Sequence, residues 1–324
     1  MAGVPVIDVR LTPDERRAGL LADARRGLNE RPRVLSPVWF YDERGSRLFD
    51  EITRLPEYYL TRVERGLLRD HAAEIARITY ADTLTELGSG TSEKTRLLLD
   101  AMTAAGALER YAPFDVSEET LKDSAAAVAV EYPGVEVHGI VGDFHRHLDA
   151  IPGSKRRLVA FLGSTIGNLS PDERSRFFFD LNCVLSHDDW FLLGADLVKD
   201  PGVLLAAYND AQGVTAEFNR NALRVLNAEL GADFDPARFE HRAIWNDDDR
   251  WIEMRLRSTT AQQISIPALD LVVTCEAGEE IRTEISAKFT RRRIEADFAA
   301  AGLELVRWYT DPDQLFAVSL AARR

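Results

Sequence analysis

Acids stand at the expected strand-to-turn junctions in the strings Glu86-Leu-Gly-Ser-Gly90, Pro113-Phe-Asp115-Val-Ser117 and Gly142-Asp143-Phe144. Glycines there let backbone come close to a ligand, and carboxylates accept hydrogen bonds from it. Phosphate is the first ligand to test. A phosphate loop needs G-x-x-x-x-G-K-[ST], but Glu93 precedes Lys94, an acid where phosphate would lie. The dinucleotide pattern G-x-G-x-x-G begins with Gly88 and Gly90 and meets Glu93 at its third glycine. Asp115 instead suits ribose hydroxyls, Asp143 an adenine amino group, and Phe144 the face of a base. Together with Glu86 they favour an adenosine without phosphate that carries positive charge, and S-adenosylmethionine has both properties. Taken singly, each feature has a plainer reading: G-x-G as any strand–helix turn, Asp115 as a helix N-cap.

Such turns need strands that end on one edge. Extended runs at 83–87, 110–115, 136–141, 157–162 and 190–196 alternate with helical patterns at 92–105, 117–131, 145–148 and 171–185. Alternating βα units of this length predict a parallel sheet covered on both faces, with ligands at the strand C-termini. After a helical stretch at 201–230 the period becomes two. Ile252, Met254 and Leu256 alternate with charges in 250–259, and Leu269, Leu271 and Val273 share a face in 264–275. In 280–288, Ile281 and Ile285 alternate with Arg282, Glu284 and Ser286. This alternation reads as antiparallel strands with one covered face. The chain ends with a helix at 290–301 stopped by Gly302, then strands 303–309 and 314–321 around Asp311-Pro-Asp313, an antiparallel hairpin.

The expected fold is therefore α/β, a Rossmann-like class I methyltransferase sheet with a terminal reversed hairpin. Residues 1–198 and 288–324 would form its cofactor domain, and 199–287 an inserted α+β substrate domain. Residues 10–35 read as a helix. The aromatics from Trp39 to Tyr59 read as a lid on the first domain, or more plainly as plugs of a core edge.

Composition narrows the ligand class. The chain has 324 residues, 45% hydrophobic and 29% charged, with a net charge of −13. A nucleic-acid surface calls for a basic patch, and Arg291-Arg-Arg293 is too short to be one, so a small molecule is the expected partner. Cys183 and Cys275 are the only cysteines and form no C-x-x-C motif, which suits a reducing cytoplasm. Neither a signal peptide nor an apolar run of the roughly 18 residues a membrane span needs is found. A monomer is expected, with no membrane or nucleic-acid partner. His145-x-His147 has no third ligand in view, so it reads as the start of a surface helix and no metal is expected.

The fourth strand ends in Phe161-Leu-Gly163-Ser-Thr165-Ile-Gly-Asn168, whose glycines admit close backbone approach and whose Asn168 offers donors and an acceptor. With this string, the sequence resembles the histidine-specific S-adenosylmethionine-dependent methyltransferases over nearly its whole length. The likeness also rests on "WFYDERGSRLFDEITRLPEYY", "ELGSGTSEKTR", "PFDVS", "GDF", "LVKD", "AYNDAQGVTAEFNRN", "IEMRLRS" and "EISAKF". It implies successive Nα-methylation of L-histidine to N,N,N-trimethylhistidine (hercynine) in ergothioneine biosynthesis. It places Tyr58, Asn168 and Tyr208 on the amino and carboxylate ends of histidine, Glu284 and Ser286 on the imidazole, and Phe49, Thr215 and Met254 around it. It places Tyr41, Gly88, Lys94, Asp115, Asp143, Phe144 and Thr165 at the cofactor, and the close-approach Gly163 joins them.

Catalysis would need only orientation and a neutral amine, with Tyr58 and Asn168 aiming the lone pair and Tyr41 relaying the proton. The residues support the imidazole assignment in one respect. Positions i and i+2 of a strand point to one face, about 7 Å apart, so Glu284 and Ser286 can converge on a ring. The plainer readings are a solvated Glu284 and a core Met254. Methylation of another small amine remains open, as does a cofactor-binding protein without turnover. A panel of amino acids scored by mass gain separates them.

Overall fold

The computed structural model describes residues 3–323. The chain runs β1 (Val6–Val9), α1 (Pro13–Asn29), β2 (Arg33–Val34), α2 (Glu43–Arg54) and α3 (Leu60–Thr79). Then come β3 (Thr83–Leu87), α4 (Arg96–Ala104), β4 (Arg110–Asp115), α5 (Glu118–Glu131), β5 (Glu136–Val141), β6 (Arg157–Phe161), α6 (Pro171–Val184) and β7 (Trp190–Asp196). Next are α7 (Pro201–Ala207), α8 (Val214–Leu230), β8 (Phe239–Asn246), β9 (Trp251–Ser258), β10 (Gln262–Ile266), β11 (Leu271–Cys275) and β12 (Glu280–Ala287). The chain closes with α9 (Arg291–Ala300), β13 (Leu303–Thr310) and β14 (Phe316–Arg323).

Two compact units result. The first combines the chain up to Leu11, Leu60–Val198 and everything from Phe289 on. Its sheet has the order β1-β5-β4-β3-β6-β7-β14-β13. The strands from β1 to β7 pair in parallel, while β14 runs antiparallel to both β7 and β13. This is the expected class I methyltransferase sheet with its reversed hairpin. Both β3 and β6 are buried at every position, as central strands covered on two faces must be. Strand β1, four residues long, is too short to give a period and was not expected. Helix α6 starts on a reciprocal capping pair, Ser170 with Glu173, which fixes the end of the loop after β6.

The second unit combines Thr12–Tyr59 with Lys199–Lys288. Its main sheet has the order β2-β12-β9-β8, and α8 packs on β8 and β9 with Phe218, Asn219, Ala222 and Leu223 buried. Here the structure departs from the sequence reading in three ways. Residues 12–59, expected with the first domain, pack in this unit: β2 pairs with β12, and α2 lies on α8. The stretch 264–275 is not one strand but the hairpin β10–β11, because Pro267 breaks the run and Asp270 turns at φ +48. The third departure is a bulge in β12. Arg282 faces Arg255 and Glu284 faces Met254, leaving Thr283 between them without a partner in the ladder.

Candidate active site

The first unit forms an acidic glycine turn after β3. Gly88 and Gly90 have φ of +68° and +49°, and a Cβ on either would meet nothing within 4 Å, so the space over both is open. Beneath the turn Glu86 is buried, and Tyr111 Oη donates to its Oε2 at 2.8 Å. Burial pushes the Glu86 carboxyl up to about 7, and it braces the turn from within the core. Asp115, at the end of β4, accepts the Gly90 amide at 2.9 Å with Oδ2 and the Ser117 amide at 2.9 Å with Oδ1. Burial raises its pKa against those amides, and each oxygen keeps a lone pair for a ligand hydroxyl. After β5, Asp143 accepts the His145 amide at 2.9 Å and gives its own amide to His147 Nδ1 at 3.1 Å. The Phe144 ring packs on Phe161 and Phe177 at 5.1 and 5.8 Å. Among the described residues no three His, Cys, Asp or Glu side chains gather as a metal site would need.

The turn after β6 completes this edge. Gly163 lies at φ +75°, and Ser164 at +59° is left-handed without being glycine, held by its hydroxyl accepting the Asp196 amide at 2.9 Å. Thr165 Oγ1 donates to the Leu162 carbonyl at 3.0 Å. Half-buried Asn168 makes no side-chain hydrogen bond among the described residues.

In the second unit an aromatic array leads to a polar cluster. Phe218 on α8 touches Phe40, Tyr41 and Phe49 at ring distances of 4.7, 5.6 and 5.9 Å. Phe49 meets Tyr58 at 6.3 Å, and Tyr58 meets Tyr208 at 6.4 Å. Gly45 allows this packing, since a Cβ there would sit 1.6 Å from the Phe40 carbonyl oxygen. Tyr208 Oη lies 2.7 Å from Ser286 Oγ, and Lys288 Nζ donates to both, at 2.9 and 2.8 Å. The same ammonium stands 4.5 Å from the centre of the Tyr208 ring. Glu284, 9% exposed, shares the Met254 side of the sheet and has no hydrogen-bond partner among the described residues. Burial pushes its carboxyl up to about 8, although the nearby Lys288 charge pulls it down.

The cluster rests on a fixed inner network. Asn219 accepts from Thr283 Oγ1 at 2.6 Å, so its amide hydrogens go to His241 Nδ1 at 2.8 Å and the Arg255 carbonyl at 3.1 Å. With Nδ1 accepting, His241 carries its proton on Nε2 and donates to the Tyr208 carbonyl at 2.8 Å. Burial lowers the His241 pKa, which favours that neutral form. Buried Thr215 belongs to the start of α8, where its amide reaches Asp210 Oδ1 at 2.7 Å.

The sequence profile of the family described as histidine-specific methyltransferase, SAM-dependent, matches residues 20–323. The chain belongs to that family. Among relatives of this histidine-specific methyltransferase family member, histidine N-alpha-methyltransferase of Mycolicibacterium smegmatis is 54% identical over 313 residues, covering 97% of this chain and 98% of the relative. Its namesake in Mycobacterium tuberculosis is 52% identical over the same length, with the same coverage. Ergothioneine biosynthesis protein 1 of Neurospora crassa is 34% identical over 290 residues, which are 86% of this chain and 32% of that longer protein. Membership implies S-adenosylmethionine, and the turn after β3 fits it. The space over Gly88 and Gly90 is free, and the buried Ser89 hydroxyl in the same turn has no hydrogen-bond partner among the described residues.

Tyr41 and all assigned histidine-binding residues except Asn168 lie in the second unit, whereas Asn168 and the remaining cofactor residues lie in the first. Sequence reasoning missed Lys288 and Glu64. Lys288 is the i+4 residue after Glu284 in the quoted "EISAKF", so the rule that paired Glu284 with Ser286 extends to it. Glu64, on a helix remote in sequence from every turn, gave no local signal.

Proposed function

We propose that the protein transfers methyl groups from S-adenosylmethionine to the α-nitrogen of L-histidine, successively to the trimethylated betaine hercynine, as a step of ergothioneine biosynthesis. One observation carries the choice of acceptor: Glu284 has a buried carboxyl group with no hydrogen-bond partner among the described residues, on the same strand as the Ser286 hydroxyl. Such a pair can satisfy both nitrogens of an imidazole, and a buried acid left alone is costly.

When bound, S-adenosylmethionine supplies an electrophilic methyl carbon whose sulfur leaves neutral. Gly88, Gly163 and Thr165 would line its tail, Lys94 would give it a positive partner, Asp115 would take the ribose hydroxyls, and Asp143 with Phe144 the adenine. The protein's own task is to present a neutral amine, since one proton must leave the nitrogen before each transfer. Tyr58, Asn168 and Tyr208 hold the amino and carboxylate ends and aim the lone pair, which must come within about 3–3.5 Å of the acceptor carbon. Tyr41, packed on Phe218 and Phe49, passes the proton outward. Phe49, Thr215 and Met254 wall the ring, and Lys288 holds Ser286 and Tyr208 in place.

A cytoplasmic monomer is part of this reading. Cys183 and Cys275 are both unpaired, and a net charge of −13 disfavours nucleic acid. Among the described residues no helix is long and apolar enough to cross a membrane.

Mass spectrometry of a panel of amino acids incubated with protein and S-adenosylmethionine tests the proposal. Histidine is expected to gain three methyl groups in succession, with the other amino acids unchanged. Unmodified histidine beside a methylated competitor would reject the acceptor.

A further inference from the structure

We infer that Glu64 is a positioning residue that holds Lys94 and the Gly163 amide so that the Lys94 ammonium meets the carboxylate of the cofactor's amino-acid tail. The inference rests on S-adenosylmethionine being the ligand of the first unit. Glu64 lies on α3, and its side chain is wholly buried. Its Oε1 accepts the Gly163 amide at 2.7 Å, and its Oε2 is paired with Lys94 Nζ. One carboxylate thus ties the turn after β3 to the turn after β6.

The sheet is shaped to admit it. A Cβ on Gly194 of β7 would fall 2.0 Å from Glu64 Oε1, so only glycine leaves the recess this oxygen occupies. A Cβ on Gly163 would lie 3.5 Å from Lys94 Nζ, which puts the ammonium against the bare face of that glycine. Lys94 keeps 21% of its side chain exposed, in contrast to its buried partner. An ammonium has three hydrogens, and among the described residues Glu64 is the only hydrogen-bond partner of Lys94. The remaining donors face a single-charge acceptor better than a phosphate, since Glu93 and Asp115 add negative charge to this edge.

Calorimetric binding of S-adenosylhomocysteine and of its decarboxylated analogue tests the role without any turnover. Glu64→Gln keeps an oxygen for Gly163 but turns amide hydrogens toward Lys94. It is expected to weaken S-adenosylhomocysteine by about tenfold or more, the scale of one charge-assisted hydrogen bond, and to leave the analogue within about twofold. Combined with Lys94→Met it should cost no more than Lys94→Met alone. Gly194→Ala, which drives the carboxylate from its recess without changing charge, should give the same split if Glu64→Gln folds poorly. Equal weakening of both ligands, or of neither, overturns the role while the cofactor reading stands. Wild-type protein that binds no S-adenosylhomocysteine would overturn both.

Discussion

Glu284 sits where burial and the proposed imidazole contact oppose each other. An unfolded glutamate ionises near about 4.3, whereas burial moves the folded one up to about 8. Between those values only the folded chain holds the proton, so this group lowers stability as pH rises through that range and costs no more above it. Glu284→Gln removes the effect. Its thermal midpoint should exceed that of the wild type at about pH 9, where the full penalty applies, and match it at about pH 4. Lys288→Met should do the opposite at about pH 9, because the ammonium is the charge that favours the ionised acid. Thermal unfolding followed across pH checks both, and a Glu284→Gln midpoint independent of pH relative to wild type would sink the argument.

The bulge in β12 decides what that strand presents. On one side Leu256 faces Ile281 and Met254 faces Glu284, so an odd and an even position of β12 share the α8 side of the sheet. Plain alternation puts Glu284 opposite Ile281, on the side of Arg282. The extra residue, Thr283, resets the parity and is pinned by its hydroxyl to Asn219 and to the Met254 carbonyl at 3.0 Å. Thr283→Val leaves the Asn219 oxygen buried without a donor, a cost of about 1–3 kcal/mol. Denaturant unfolding should show that loss, and calorimetry should show histidine binding weakened while S-adenosylhomocysteine binding holds. Unchanged stability would mean that the bulge stands without its hydroxyl.

At the scale of the whole molecule residues 12–59 are a component of the second unit. It contributes β2 to the sheet, α2 against α8, and the Phe40 carbonyl and Asp42 carboxylate that bind Asn221 at 3.2 and 2.7 Å. A chain lacking residues 1–59 should therefore lose the fold of that unit and bind no histidine. Limited proteolysis should cut it within 199–288. A truncated chain that resisted cleavage there would restore the view of these aromatics as a detachable lid.

The sequence by itself determined the βα alternation, the reversed hairpin, the acidic glycine turn and the pairing of Glu284 with Ser286. Each of these is written in short-range period or in residues a few positions apart. Lys288 was within reach of the same period-two rule. Only the tertiary structure decided that 12–59 joins 199–288, that a bulge turns Glu284 to the α8 side, and that Glu64 grips two turns from a distant helix. Those facts depend on contacts between residues far apart in the chain, and hydrophobic period, a local quantity, carries no record of them.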